Sequence, residues 1–134
     1  MKISLFLVFA FAASIGLETS RISQAAPAPL EIGQCTETYI STVSTRLIDG
    51  MTGEPIPDSG VSVHLNNGII LIASTQIAGV EASQEGDKVK VCLQKVPSNC
   101  RTGDYRGIIY KVINHRTGRE FMLSNSDETC MSEN

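Results

Sequence analysis

The sequence predicts an all-β domain: a small antiparallel barrel or sandwich of about six strands, stapled by disulfides. Three observations carry that expectation. Short runs of alternating apolar and polar residues recur between glycine- and proline-rich turns, no stretch keeps a 3.6-residue apolar repeat over ten or more positions, and four cysteines follow an export-type N-terminus. The spacing of the runs leaves barrel and sandwich both open.

The N-terminus comes first because it defines the mature chain. Lys2 precedes fifteen apolar or small residues, ISLFLVFAFAASIGL, and then a polar stretch in which Ser23 and Ala25 suit signal peptidase. Cleavage is expected after Ala25, with Ala10 and Ala12 as a weaker second site. The apolar run is short of the roughly 20 residues that span a bilayer, so removal is favoured over anchoring. No second apolar segment of that length follows. The expected division is a signal peptide over 1–25, an extended leader over 26–37 and one β domain over 38–134. The expected location is the periplasm or the outside medium.

Within the leader, Pro27 and Pro29 remove backbone donors and fix φ. The stretch from Thr38 to Ile48 is rich in Tyr, Ile, Thr and Val, a strand composition. DGMTGEPIPDSG then breaks it. VSVHL places Val61, Val63 and Leu65 on one face, and NNG leads into IILIAST, a hairpin pattern in which Asn and Gly tolerate positive φ. Ile69 to Ile72 are apolar on both faces, as in a central strand. AGVEASQEG is a polar connection with room for a helical turn in ASQEG. In residues 88–95, Val89, Val91 and Leu93 share one face and Lys88, Lys90, Cys92 and Gln94 the other. After the loop PSNCRTGDYRG, GIIYKVIN and REFML flank HRTG as a second hairpin, and SNSDETCMSEN is a polar tail.

Four cysteines, Cys35, Cys92, Cys100 and Cys130, remain after cleavage, and an even number in a small exported domain reads as two disulfides. Three pairings are possible. Because Cys92 lies on the lysine-bearing face, its partner comes from a loop or terminus over that face. The expected pairing is Cys92–Cys100 with Cys35–Cys130, one pinning the loop and the other clamping the two ends.

Charge is segregated along the chain. Residues 26–87 carry Arg46 against eight acids, residues 88–119 carry eight bases against Asp104, and the tail returns to acid. The basic stretch either faces the molecule's own acidic half or forms a patch for phosphate, sulfate or an acidic protein surface. The candidate contacts are Lys95, Arg101, Arg106, Arg116 and Arg119, since guanidinium gives bidentate contacts to such groups, with Tyr105 as an aromatic anchor. Nucleic acid is disfavoured, because aromatic side chains for base stacking are almost absent.

Enzymatic patterns are weak. The two histidines, His64 and His115, fall in strand and turn contexts, and there is no G-x-S-x-G, H-E-x-x-H or P-loop. The cysteine spacing is unlike common zinc sites. No catalytic residue, metal or cofactor is expected.

The series G-D-x-V-x-x-C-L (Gly86, Asp87, Val89, Cys92, Leu93), then Cys100, then G-D-x-R-G (Gly103, Asp104, Arg106, Gly107) and N-x-R-T-G (Asn114, Arg116, Thr117, Gly118) resembles a set of small exported proteins of alphaproteobacteria. The match covers about a third of the chain and consists mostly of turns. It implies a shared fold more than a shared activity. Some exported proteins of this size act as effectors inside host cells. The reading that results is a non-enzymatic exported binding module acting on a host or envelope target through its basic loop and hairpin. The alternative is a periplasmic inhibitor of a secreted hydrolase such as a lysozyme or protease, with loop 96–106 in the enzyme's cleft.

Overall fold

In the computed structural model, which describes residue 16 and residues 28–131, six strands close into one antiparallel barrel. They are β1 (Cys35–Thr45), β2 (Val61–Leu65), β3 (Ile70–Ala73), β4 (Lys88–Lys95), β5 (Ile109–Asn114) and β6 (Glu120–Ser124). The order around the barrel is β1-β2-β3-β6-β5-β4. All-β architecture with two disulfides therefore holds, and closure leaves the sheet without a free edge. The expected signal peptide, 1–25, lies outside the described residues apart from Gly16.

The interior follows the alternation read in the sequence. Val89, Val91 and Leu93 of β4 meet Asn114, Val112 and Tyr110 of β5, and Phe121 and Leu123 of β6 continue the rows. Ile40, Val63 and Leu71 close the other side, almost without exposure. With few large rings, aliphatic side chains fill a narrow barrel. The β2–β3 turn has three residues, Asn66 to Gly68, between Leu65 and Ile69, which are hydrogen bonded across it, and Gly68 alone takes positive φ, 89°. This differs from a two-residue Asn-Gly turn, because the third residue lets Gly68 supply the left-handed step by itself.

A single helical turn, α1 (Ala78–Glu81), sits just ahead of ASQEG and drops Val80 into the core. Gly79 is required there, since a Cβ would stand 2.7 Å from the Phe121 ring. The β3–β6 seam is the slightest, with one aligned pair, Ile72 and Ser124. Ile70 is correspondingly about half exposed, not sandwiched as its all-apolar run suggested.

The disulfides correct the expected pairing. Cys35 bonds Cys92, and Cys100 bonds Cys130. Starting β1 at Thr38 left Cys35 in a leader, whereas the strand begins at Cys35 and pairs with β4 so that Cys35 stands opposite Cys92. The β5–β6 register then brings the tail back along the β4–β5 loop, which delivers Cys130 to Cys100. Cys92 does point away from the barrel interior, yet it is buried.

Alternating strand directions sort the connections. Loops β1–β2 (46–60), β3–β4 (74–87, with α1) and β5–β6 (115–119) leave one end. Loops β2–β3 and β4–β5 (96–108), the leader and the tail leave the other.

Candidate functional site

The β4–β5 loop is held from several sides. Its Cys100 is bonded to the tail, Arg101 N–H donates to the Met131 carbonyl (3.0 Å), and Cys130 N–H donates to the Arg106 carbonyl (3.0 Å). Asn125, one residue past β6, accepts from Gly107 and Ile108 N–H at 3.0 and 2.9 Å and donates to the Tyr105 carbonyl at 2.7 Å. One amide thus fixes three consecutive peptide units.

The charged groups are arranged by the same logic. Arg106 grips Asp104 in a two-pronged pair, Nε to Oδ1 at 3.0 Å and Nη2 to Oδ2 at 2.9 Å, and reaches Glu128 at 2.5 Å. Met131 N–H also donates to Asp104 Oδ2. The Arg106 guanidinium, and then the Met131 N–H, hold the Asp104 carboxyl well below the usual carboxylate range. Bidentate geometry of this kind fixes direction as well as charge.

What stays outward is a different set. Tyr105 is 71% exposed, Lys95, Arg101 and Val96 are exposed, and Arg101 and Lys95 have no ion-pair partner among the described residues. Arg101 and Tyr105, with Thr102, Asn125 and Met131, line a shallow depression of about 650 Å³. A neighbouring cleft of about 280 Å³ adds Val96, Pro97 and Ile108 as apolar walls.

The six candidate contacts therefore separate. Lys95, Arg101, Tyr105 and Arg106 lie at the loop end, whereas Arg116 and Arg119 lie at the other end on the β5–β6 hairpin. Arg106, Arg116 and, more loosely, Lys111 are engaged internally, which is the neutralised arrangement for three of the eight bases in the basic segment. Arg116 donates to Asp87 through Nε (2.6 Å) and Nη2 (3.0 Å) and to the Ala82 carbonyl (2.8 Å). Lys111 faces Glu120 at 3.6 Å, and His115 lies 2.7 Å from Glu37.

Behind Arg116 is a buried polar knot. Fully buried Asn114 donates to Ser83 Oγ (2.9 Å) and Asp87 Oδ2 (2.8 Å) and accepts from Arg116 and Thr117 N–H. Asp87 also accepts from Gln84 N–H, and its carboxyl lies far below the normal range, chiefly through Arg116. The knot sits where the inward row of β5 runs out of aliphatic residues. Its buried polar atoms are satisfied by one another, so it serves to close the barrel.

The sequence alone assigns no role to Asn125 or Asn114 and does not say which acids the arginines face. The available sign was the D-x-R spacing of Asp104 and Arg106, where an acid two residues from an arginine in a turn can satisfy it locally. Among the described residues, no group of three or more His, Cys, Asp or Glu side chains is placed to hold a metal ion. No protein-family model matches the chain, and no curated protein or solved structure matches it.

Proposed function

We propose that the chain is an exported, non-catalytic binding module that engages an anionic region of another protein through loop 96–108. Tyr105 is the anchor, and Arg101 and Lys95 supply charge. One observation carries this reading: the loop is ordered in advance by a disulfide, an Asp–Arg clasp and Asn125, yet it leaves Tyr105 71% exposed beside unpaired Arg101. Ordering a loop beforehand lowers the entropic cost of binding, and exposed tyrosine and arginine are the commonest energetic anchors. Two disulfides fit an oxidising compartment, which supports export.

The contact set is thereby narrower than the basic segment as a whole. Arg106 and Arg116 serve the fold, and Arg119 belongs to the far hairpin. The test is recovery of bound protein from envelope and host-cell fractions by the full chain, compared with Tyr105→Ala and Arg101→Glu. Each variant should lose most of the recovered protein at unchanged Tm. Equal recovery by wild type and both variants overturns the proposal. A panel of lysozymes and proteases separates the two settings, since inhibition that disappears with Tyr105→Ala places the loop in a hydrolase cleft.

A further inference from the structure

The β1–β2 connection runs from Arg46 to Gly60, far longer than the few residues that usually join neighbouring antiparallel strands. It is a built arm. Asp49 N–H donates to the Glu54 carbonyl (2.8 Å), Ile56 N–H to the Leu47 carbonyl (3.0 Å), and Ile48 bridges Pro55. The Asp49 carboxylate accepts from Met51 and Thr52 N–H, which fixes the tip and lowers its own pKa. At the root, Ser59 Oγ accepts from Leu47 N–H and donates to the Ile56 carbonyl, while Arg46 pairs with Asp127.

This ordered arm exposes apolar side chains that the barrel does not cover. Met51 at the tip is 97% exposed, Ile48 is 59% exposed, and Leu47 and Ile56 are each above 40% or at it. Every charge between residues 47 and 60 is negative: Asp49, Glu54 and Asp58. Large exposed apolar groups on a pre-ordered projection mark a contact surface, because their burial is favourable and little order remains to be imposed.

From this we infer that the arm is a second recognition element, inserting Met51 and Ile48 into an apolar pocket walled by lysine or arginine on a partner protein. The shape and charge select that occupant. A convex tip needs a concave partner, and three acids flanking it need cations at the pocket's rim. The same acids oppose an anionic lipid surface. A contact between the arm of one copy and the basic loop 96–108 of the next would be heterologous, building rings or open chains, and crosslinking to further copies of the chain would reveal it. The inference is independent of the loop reading, since the two surfaces share no residue.

The experiment uses the full chain with a photo-crosslinking side chain at position 51 (Met51→p-benzoylphenylalanine), exposed to envelope and host-cell fractions, with Glu85 as the control position. The crosslinked protein is identified, purified and titrated against the unlabelled chain. Met51→Ser should weaken binding tenfold or more. Glu54→Lys with Asp58→Lys should weaken it comparably and invert its salt dependence, whereas Arg101→Glu and Tyr105→Ala leave it unchanged. Crosslinking no stronger than at position 85, crosslinking only to lipid or to further copies of the chain, or affinity indifferent to Met51→Ser would each overturn the inference. Loss of binding in Arg101→Glu alone would instead move the contact to the loop and leave the loop reading standing.

Discussion

The two ends of the barrel are closed with the same kinds of residue in different surroundings. At the arm end, Gly86–Asp87 meets Arg116 while Asn114 caps the following turn. At the loop end, Gly103–Asp104 meets Arg106 while Asn125 caps the turn from the other side. The Asp87 side chain is 4% exposed and its amide partner Asn114 is fully buried, so that only Arg116 of that clasp reaches solvent, whereas Asp104, Arg106 and Asn125 all retain contact with water. Burial decides what each clasp does. A buried polar knot must be complete or it destabilises the core, whereas a wet one mainly fixes the direction of the chain. The Asp87 clasp at the first end is therefore structural. The Asp104 clasp at the second positions a covalently braced surface.

The largest expected effects come from the disulfides, which should lower stability almost equally and differ in where they loosen the molecule. Closing loops with separations of 57 and 30 residues restricts the unfolded chain to a similar degree. Chain-entropy arguments give about 4 kcal/mol for each. Urea unfolding of Cys35→Ser/Cys92→Ser and Cys100→Ser/Cys130→Ser should show two comparable losses. Hydrogen exchange should then separate them: without Cys100–Cys130, the amides at positions 101 and 130 exchange by local opening, while the Asn114 amide follows the global stability. Exchange at Asn114 faster than the measured loss of global stability accounts for would mean the ends are not independent.

Next in size is the pair of asparagines. Asn114→Ala removes two donated and two accepted hydrogen bonds and leaves Ser83 and Asp87 short of partners in a dry site, at an expected cost of about 3 kcal/mol. Asn125→Ala removes three bonds, but water can replace them, so its cost should be about 1 kcal/mol. Equal losses in chemical denaturation would break the distinction between a buried and a wet clasp.

Much of the barrel was legible in the sequence because inward rows such as Val89, Val91 and Leu93 repeat with period two, and each strand is bounded by turn residues. Closure was not, since it depends on β3 finding β6 through one aligned pair. The disulfides were misassigned for a related reason: pairing follows strand register, and register between β1 and β4 is set by contacts across fifty residues. Whether Arg106 and Arg116 are free or neutralised stays open in the sequence, because a net charge counts side chains without saying which acids they face. Asp104 stands in the same turn as Arg106, whereas Asp87 precedes Arg116 by 29 residues. Tyr105 and Arg101 were legible as candidates, while the apolar arm was read only as a turn-rich connection, because its cross-arm hydrogen bonds leave no repeat in the sequence.

The smallest effect expected is also the sharpest measure of the two clasps, the response to acid. Both carboxyls are held below their ordinary range by an arginine, so each contributes stability that is present above the unfolded-state pKa of about 4 and is lost as pH falls below it toward the folded value. Asp87→Asn should cost most at pH 7. Its deficit relative to wild type should narrow by about 1 kcal/mol at pH 3, because only the wild type then takes up a proton on unfolding. For Asp104→Asn a narrowing in the same direction should shrink in about 0.5 M salt without disappearing, because the Met131 N–H also holds the carboxylate, while the buried Asp87 carboxylate, bonded to Asn114 and Gln84 as well as to Arg116, keeps more of its pH dependence. Urea midpoints at pH 7, 5 and 3, with and without salt, give the comparison directly. An Asp87 response as salt-sensitive as that of Asp104 would show that burial of the carboxylate does not govern these two clasps.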